Sequence, residues 1–169
     1  MIILIEGIDR VGKTTLANIL NKQFNIPIFK DKPIYNKDFK NHEITTEKGN
    51  LLYSLMESGG IDNLIMDRGH LTEYVYGKIE RHYSNNYIIN EFDEQLARVE
   101  KQGRLILVYV KPESLEWSST QHGSDLTPHH ELMEECIKNS KIKNIMVTSF
   151  TQLDKTVLDI KKRIENRYE

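Results

Sequence analysis

The stretch IEGIDRVGKTT, from Ile5 to Thr15, places a glycine-rich loop between a hydrophobic run and a helical pattern. Residues 7–14 match the spacing G-x-x-x-x-G-K-[ST] without a mismatch. Glycines let successive backbone N–H groups face one point, at a helix N-terminus that already favours anions. The lysine can reach the β- and γ-phosphates of a nucleotide. The pattern therefore predicts a phosphate-binding loop (P-loop), and the alternative is a glycine turn with a surface lysine.

The predicted loop would bind both the phosphates of ATP and the accompanying metal ion. The residues that would hold the phosphates are Gly7, Val11, Gly12, Lys13, Thr14 and Thr15. The Thr14 hydroxyl would also bind Mg²⁺, the cofactor that accompanies ATP.

Short hydrophobic runs alternate with helical patterns along the rest of the chain. The runs are β-rich and nearly continuous in hydrophobicity, as strands buried on both faces are; they are Ile2–Ile5, Ile26–Phe29, Asn63–Met66, Leu105–Val110 and Asn144–Val147. Amphipathic stretches lie between these runs, for example Thr14–Phe24, Leu71–His82, Asn90–Gln102 and, at the end, Thr151–Tyr168. This alternation predicts an α/β fold, a parallel sheet with helices on both faces, in one domain over residues 1–169.

Composition narrows the class of protein. The chain has 169 residues, 38% of them hydrophobic and 28% charged, which is typical of one globular domain. It lacks the run of about 18 apolar residues that a membrane span needs. Its one cysteine, Cys136, favours a reducing compartment such as the cytoplasm. The formal net charge of −2 disfavours a general attraction to nucleic acid or to anionic membranes.

A second acidic element, DRGHLTEYVYG (67–77), follows the third hydrophobic run. Asp67 is placed to hold the water shell of a magnesium ion or to orient Lys13. Arg68 carries a planar guanidinium that suits a phosphate dianion. The alternative is an Asp-Arg pair that caps the next helix.

The motifs IEGIDRVGKTT, LLYSLMESGG (51–60) and NLIMDRGHLTEYVYG (63–77) resemble those of the thymidylate kinases. The resemblance covers residues 1–15 and 51–77 in motif, and the chain after Lys111 in architecture only. It implies a five-stranded parallel sheet that transfers the γ-phosphoryl of MgATP to a deoxynucleoside monophosphate. Members of this family commonly form homodimers.

The same resemblance assigns the acceptor side. It implies that Asp9 lies next to the 3′-hydroxyl of the acceptor sugar and that Arg68 grips the acceptor phosphate. Tyr53 would stack on the base, Thr72 matches a serine of the family, and Tyr76 would leave no room for a 2′-hydroxyl. The last assignment predicts a preference for deoxyribonucleotides, although tyrosines at such positions are also commonly half-buried helix residues.

Glu57 departs from this correspondence, whereas a lysine after the second strand agrees with it. Glu57 stands where the family has an arginine that donates to thymine O4, and an ionised carboxylate cannot donate. Either the base carries an amino or hydroxymethyl group, or Glu57 turns to solvent. After the second strand, Lys30 or Lys32 stands where the family keeps basic residues near the acceptor phosphate.

Arg10 is the predicted source of positive charge for the transferred group. Kinases of this type often supply that charge from a lid after the fourth strand, here at approximately residues 117–130. From Pro112 to Ile137 the chain has no lysine or arginine. An arginine at the migrating phosphoryl contributes about 10³–10⁵ in rate, so we expect Arg10 to act with Lys13 and Asp67 in catalysis. The alternative is a solvated loop arginine.

Three other interpretations remain open at the level of sequence. One is a kinase that acts on a free deoxynucleoside or on a hydroxyl within a polynucleotide; the second is a nucleotide-binding regulator with little turnover. Deoxynucleoside kinases usually lack a carboxylate where Asp9 stands, which favours the monophosphate acceptor. A zinc site would need His122, His129, His130 and Cys136 to converge, and their spacing matches no common zinc pair.

Overall fold

The computed structural model describes residues 1–30, 41–82 and 86–166, and the backbone alone for residues 41–45. Its strands are β1 (Ile2–Glu6), β2 (Ile28–Lys30), β3 (Leu64–Asp67), β4 (Leu105–Val110) and β5 (Ile145–Thr148). They form one parallel sheet in the order β2-β3-β1-β4-β5. The predicted α/β fold with a five-stranded parallel sheet is confirmed.

Helices surround this sheet. They are α1 (Lys13–Phe24), α2 (Asn41–Glu57), α3 (His70–Ile79), α4 (Asp93–Lys101), α5 (Leu115–His122), α6 (Thr127–Asn139) and α7 (Leu153–Glu165). A π-helical turn, Ile88–Phe92, leads into α4, and a 3₁₀ turn, Phe150–Gln152, leads into α7. The predicted final helix is shorter at both ends, and Tyr168 lies outside the described residues. None of the described helices combines the length and hydrophobicity that a membrane crossing requires.

The core lies on the central strands. Every residue of β1 and β4 is buried, which explains why both read as unbroken hydrophobic runs. Helix α1 packs against β3 and α7, while α4 packs against β4 and α2, and α3 packs against α6. The predicted lid comprises most of α5, a turn, and the first residues of α6.

The carboxyl ends of the strands position the site. In the register of the sheet, Ile5 of β1 lies beside Asp67 of β3 on one side and Val108 of β4 on the other. The loop that follows β1 therefore emerges between the ends of β3 and β4. In open α/β sheets, ligands bind in the crevice at this point.

Candidate active site

The P-loop, residues 7–14, joins β1 to α1 with a backbone that only glycine accommodates at two positions. At Gly7 (φ +145°) an added Cβ would lie 2.5 Å from the Val110 carbonyl oxygen. At Gly12 (φ +100°) it would lie 2.7 Å from Cδ2 of Phe150. These left-handed turns curl the loop over the start of α1, as a nest for anions requires.

Lys13 is held inside the loop. Its ammonium donates to the Ile8 carbonyl oxygen and lies 3.7 Å from Oδ1 of Asp9. Burial lowers the pKa of Lys13 to about 8, and the Asp9 carboxylate opposes that shift. A bound polyphosphate would supply further negative charge to this buried ammonium, as the P-loop assignment requires.

Thr14 and Asp67 meet as predicted for a metal site. The Thr14 hydroxyl donates to Oδ2 of Asp67 over 2.7 Å, and Asp67 is buried. Its other oxygen, Oδ1, has no hydrogen-bond partner among the described residues. Two hard oxygen ligands, one of them unsatisfied, suit Mg²⁺ that completes its octahedron with water and phosphate oxygens. The residues present therefore fit the expected cofactor.

Lys30 reaches this pair from the end of β2. Its ammonium lies 3.4 Å from both the Thr14 hydroxyl and Oδ2 of Asp67. The structure thus places Lys30 in the cleft, at the metal-binding pair, while Lys32 lies outside the described residues.

Asp9 is the centre of the predicted acceptor cluster. Its Oδ1 pairs with Nη2 of Arg68 over 2.9 Å, and its backbone N–H donates to the Tyr76 hydroxyl over 2.7 Å. Burial and the Asp9 carboxylate raise the pKa of Tyr76, which keeps this hydroxyl protonated. The structure therefore brings Asp9 together with Arg68 and Tyr76, which lie far from it in sequence and were assigned with it to the acceptor.

A buried carboxylate behind the P-loop was missed in the sequence. Glu6, at the end of β1, accepts hydrogen bonds from the backbone N–H groups of Leu71 and Thr72 over 3.0 Å each, and from the Thr72 hydroxyl over 2.5 Å. This arrangement ties the N-terminus of α3 to the P-loop strand. Thr72 thus supports the site from behind. A glutamate that ends a fully hydrophobic strand was the available signal.

His70 extends this network away from the cleft. Its ring is buried between Glu6, at 3.6 Å, and Asp93, at 2.9 Å. Burial acts to raise the pKa of Asp93, but hydrogen bonds from His70, Ser140 and the backbone of Lys141 outweigh it and lower the pKa. The network therefore fastens α3 to α4.

Tyr53 and Glu57, which the resemblance assigns to the base, contact side chains of α4 and of the turn before it. Tyr53 is buried, with its ring 4.8 Å from that of Phe92 and 6.2 Å from that of His70. The Glu57 carboxylate forms a two-pronged ion pair with Arg98 of α4, at 2.5 and 3.3 Å, and this contact lowers the pKa of Glu57. Neither is among the described residues that line the main cleft. The Glu57 side chain therefore fastens α2 to α4, and its assignment to the base site stays a prediction.

The main cleft, defined here as the cavity over the P-loop, has a volume of about 860 Å³. Its walls carry Arg10, Trp117, Phe150 and Glu113 in addition to the residues above. Trp117 and Phe150 are more than half exposed, so two aromatic faces are available to a nucleotide base. Glu113 accepts hydrogen bonds from the backbone and hydroxyl of Thr151, which hold the β4 and β5 loops together and lower the pKa of Glu113.

Arg10 stands at the mouth of this cleft. It is exposed and adopts a left-handed backbone (φ +65°). Among the described residues, none forms a hydrogen bond or ion pair with its guanidinium. The side chain is thus available to an anion in the cleft.

The residues considered for zinc do not converge. His122 lines the cleft, whereas the ring of His129 packs 4.7 Å from that of Tyr76, and Cys136 is buried in the core. The described part of the chain contains no cluster of three or more His, Cys, Asp or Glu side chains that could hold a metal ion.

Comparisons with known proteins place the fold. The YorR protein from Bacillus subtilis, solved in complex with phosphorylated GDP, is 22% identical over 99% of this chain and 98% of its own, with a TM-score of 0.77. The deoxyadenosine kinase from M. mycoides with bound dATP is 17% identical over 98% of this chain and 100% of its own, with a TM-score of 0.57. The chain has the fold of P-loop nucleotide kinases.

A further solved structure is similar in fold, and the sequence comparisons give no match. A second structure of the M. mycoides enzyme, with the product dCMP and a flexible dCDP, gives a TM-score of 0.55 at 16% identity over 98% of this chain and 100% of its own. No protein-family model and no curated protein matches the sequence. The similarity therefore concerns the fold, and the resemblance to thymidylate kinases stays a prediction.

Proposed function

We propose that this protein is an ATP-dependent nucleotide kinase that transfers the γ-phosphoryl of MgATP to a deoxynucleoside monophosphate. The observation that carries the proposal is the Arg68–Asp9 pair, 2.9 Å apart, facing the same cleft as Lys13 and the Thr14–Asp67 pair. One half of the cleft thus suits a nucleoside triphosphate, and the other half offers a guanidinium to a second phosphate.

On the donor side, the P-loop N–H groups and Lys13 bind the β- and γ-phosphates. Magnesium held by Thr14 and Asp67 would neutralise charge on these phosphates. Trp117 and Phe150 provide aromatic surfaces for the base of ATP, and Arg10 reaches the γ-phosphoryl.

On the acceptor side, Arg68 binds the phosphate of the nucleoside monophosphate. An oxygen of that phosphate attacks the γ-phosphorus of ATP, and ADP leaves. Asp9 holds the guanidinium in place, and Tyr76 closes the space beside the sugar. A phosphate oxygen is already ionised and needs no general base. The carboxylates at the cleft already have contacts: Arg68 pairs with Asp9, Thr151 donates to Glu113, and Thr14 donates to one oxygen of Asp67, whose other oxygen is left for the metal. This arrangement favours a phosphate acceptor over a hydroxyl.

A deoxynucleoside acceptor is the second candidate, because the M. mycoides structures of the same fold are of a deoxyadenosine kinase. The 5′-hydroxyl of that deoxynucleoside would lie beside Arg68. The reaction would then yield a nucleoside monophosphate instead of a diphosphate.

The test is a coupled ADP-release assay across all deoxy- and ribonucleoside monophosphates, hydroxymethyl-dUMP and the free deoxynucleosides. We expect turnover with deoxynucleoside monophosphates, and a loss of about 10²-fold in kcat/KM for Arg68→Gln, because a charge-assisted, two-pronged phosphate contact disappears. Arg98→Gln is the matched control, since this arginine also pairs with a carboxylate but lies outside the cleft. Turnover with free deoxynucleosides alone would establish the second candidate. ATP binding without turnover on any acceptor would instead indicate a nucleotide-binding regulator.

A further inference from the structure

The last residue of α5, His122, faces the P-loop from across the cleft. Its Nε2 lies 3.6 Å from Oδ2 of Asp9. Its Nδ1 lies 2.6 Å from the hydroxyl of Ser124, a contact that holds the ring in this orientation. Helix α5 ends here because Gly123 takes up a left-handed conformation (φ +84°). The lid therefore reaches the phosphate-binding loop through one imidazole.

His122 belongs to the only residue type that can bring positive charge to the lid sequence. Between Pro112 and Ile137 the chain has no lysine or arginine, so histidines alone can bring positive charge to the lid. Of the other two histidines there, His129 is turned away, with its Nε2 3.1 Å from Glu80 and its ring against Tyr76. His130 is not among the described residues that line the cleft.

The charges around His122 come from four parts of the fold. Asp9, from the P-loop, lies 3.6 Å from the ring, and its other oxygen already pairs with Arg68 and approaches Lys13. Arg10 and Glu113 line the same cleft. On the lid itself, Asp125 is engaged by the backbone and hydroxyl of Thr127.

We propose that His122 is a phosphate-binding residue of the lid: as an imidazolium it holds α5 against Asp9 in the nucleotide-free protein and binds the nucleotide phosphates once they enter the cleft. The part that concerns phosphates rests on the proposed function. The contact requires the protonated ring, and imidazoles in general change charge between about pH 5 and pH 8. A charge-assisted contact to phosphate of this kind corresponds to about tenfold in affinity.

The experiment measures binding without turnover. The chain has a single tryptophan, Trp117, which lies on α5 and lines the cleft, so its fluorescence reports binding of a non-hydrolysable ATP analogue with Mg²⁺. Dissociation constants are measured from pH 5.5 to pH 8.5 for the wild type, His122→Gln, His122→Lys and the control His82→Gln, an exposed histidine beyond α3. Nucleotide and Lys13 titrate in every variant, so the ratio between variant and wild type isolates the histidine.

We expect His122→Gln to bind about tenfold more weakly than the wild type at pH 5.5 and equally at pH 8.5. His122→Lys, with a permanent cation, should bind tightly throughout, and His82→Gln should follow the wild type. A pH-independent ratio for His122→Gln, or failure of His122→Lys to restore affinity at pH 8.5, would overturn the proposal. This binding experiment contains no acceptor, so it is independent of the kinase reaction. If the protein shows this pattern but phosphorylates no acceptor, the proposed kinase function is refuted while the assignment of His122 stands.

Discussion

Arg10→Gln separates a role in the transition state from a role in binding. The guanidinium is exposed and forms no hydrogen bond or ion pair with the described residues, so its loss should change the free energy of unfolding by less than about 0.5 kcal/mol. Glutamine keeps a side chain at the left-handed position (φ +65°), whereas glycine would also relieve backbone strain of about 1–2 kcal/mol. An arginine at the migrating phosphoryl is worth about 10³–10⁵ in kcat. We expect a loss of at least about 10³, or about 4 kcal/mol in activation free energy.

The assay compares kcat for ADP release with the dissociation constant for ATP, read from Trp117 fluorescence. We expect kcat to fall about 10³-fold while ATP affinity falls less than about threefold, since Lys13 and the loop N–H groups still hold the phosphates. Lys22→Gln, an exposed cation at the end of α1 and outside the cleft, serves as the control. Equal losses in kcat and ATP affinity, or an unchanged kcat, would refute the reasoning.

Four further predictions follow from individual contacts. Asp67→Asn should reduce the effect of Mg²⁺ on ADP affinity by at least about tenfold, measured by calorimetry with and without the metal, because one anionic oxygen is lost; an unchanged effect would contradict the metal assignment. Glu6→Gln should lower the free energy of unfolding in urea by about 1.5–3 kcal/mol, because the new amide NH₂ faces the N–H donors of α3; a change below about 0.5 kcal/mol would contradict it. The pKa of Lys13 is about 8 in the nucleotide-free protein, and bound phosphates should raise it, so ADP binding at pH 8.5 without metal should take up protons. Calorimetry in buffers of different ionisation enthalpy measures this uptake, and its persistence in Lys13→Met would exclude Lys13 as the source. Glu57→Gln should leave the ranking of acceptor bases unchanged in the ADP-release assay, because its carboxylate pairs with α4; a new ranking would return it to the base site.

The parts of the site that could be predicted from the sequence lie within a few residues of a strand end. Parallel strands bring their carboxyl ends to one edge of the sheet, so Asp9, Lys13 and Thr14 after β1 and Asp67 and Arg68 after β3 had to meet there once the strands were located. The contacts between Thr14 and Asp67, at 2.7 Å, and between Asp9 and Arg68, at 2.9 Å, follow from this register. Strand order and local motif together were sufficient.

Helix α2 shows where this reasoning stops. The turn spacing between Tyr53 and Glu57 was correct, and both lie on α2, but the rotation of the helix is determined by its tertiary partners. Phe92 and Arg98, about 40 residues later in the chain, receive the Tyr53 ring and the Glu57 carboxylate. No local pattern in residues 51–60 encodes those partners, because helical periodicity specifies which residues share a face and not what that face meets.

The distribution of cations in the cleft bears on how the lid contributes to catalysis. Arg10, Lys13, Lys30 and Arg68 all lie at the carboxyl ends of the strands, on loops, on β2 or at the first residue of α1. Of the described lid residues that line the cleft, His122 is the one that can carry positive charge. Groups carried by a rigid sheet edge are already in place before the lid closes, and such preorganisation is what stabilises charge most effectively in a transition state. A lid of this kind would act through substrate binding and exclusion of water and would carry little of the charge stabilisation. Substitutions in the lid should therefore alter KM, and also the rate at which ATP is hydrolysed when no acceptor is present. Substitutions at the carboxyl edge of the sheet should alter kcat for phosphoryl transfer.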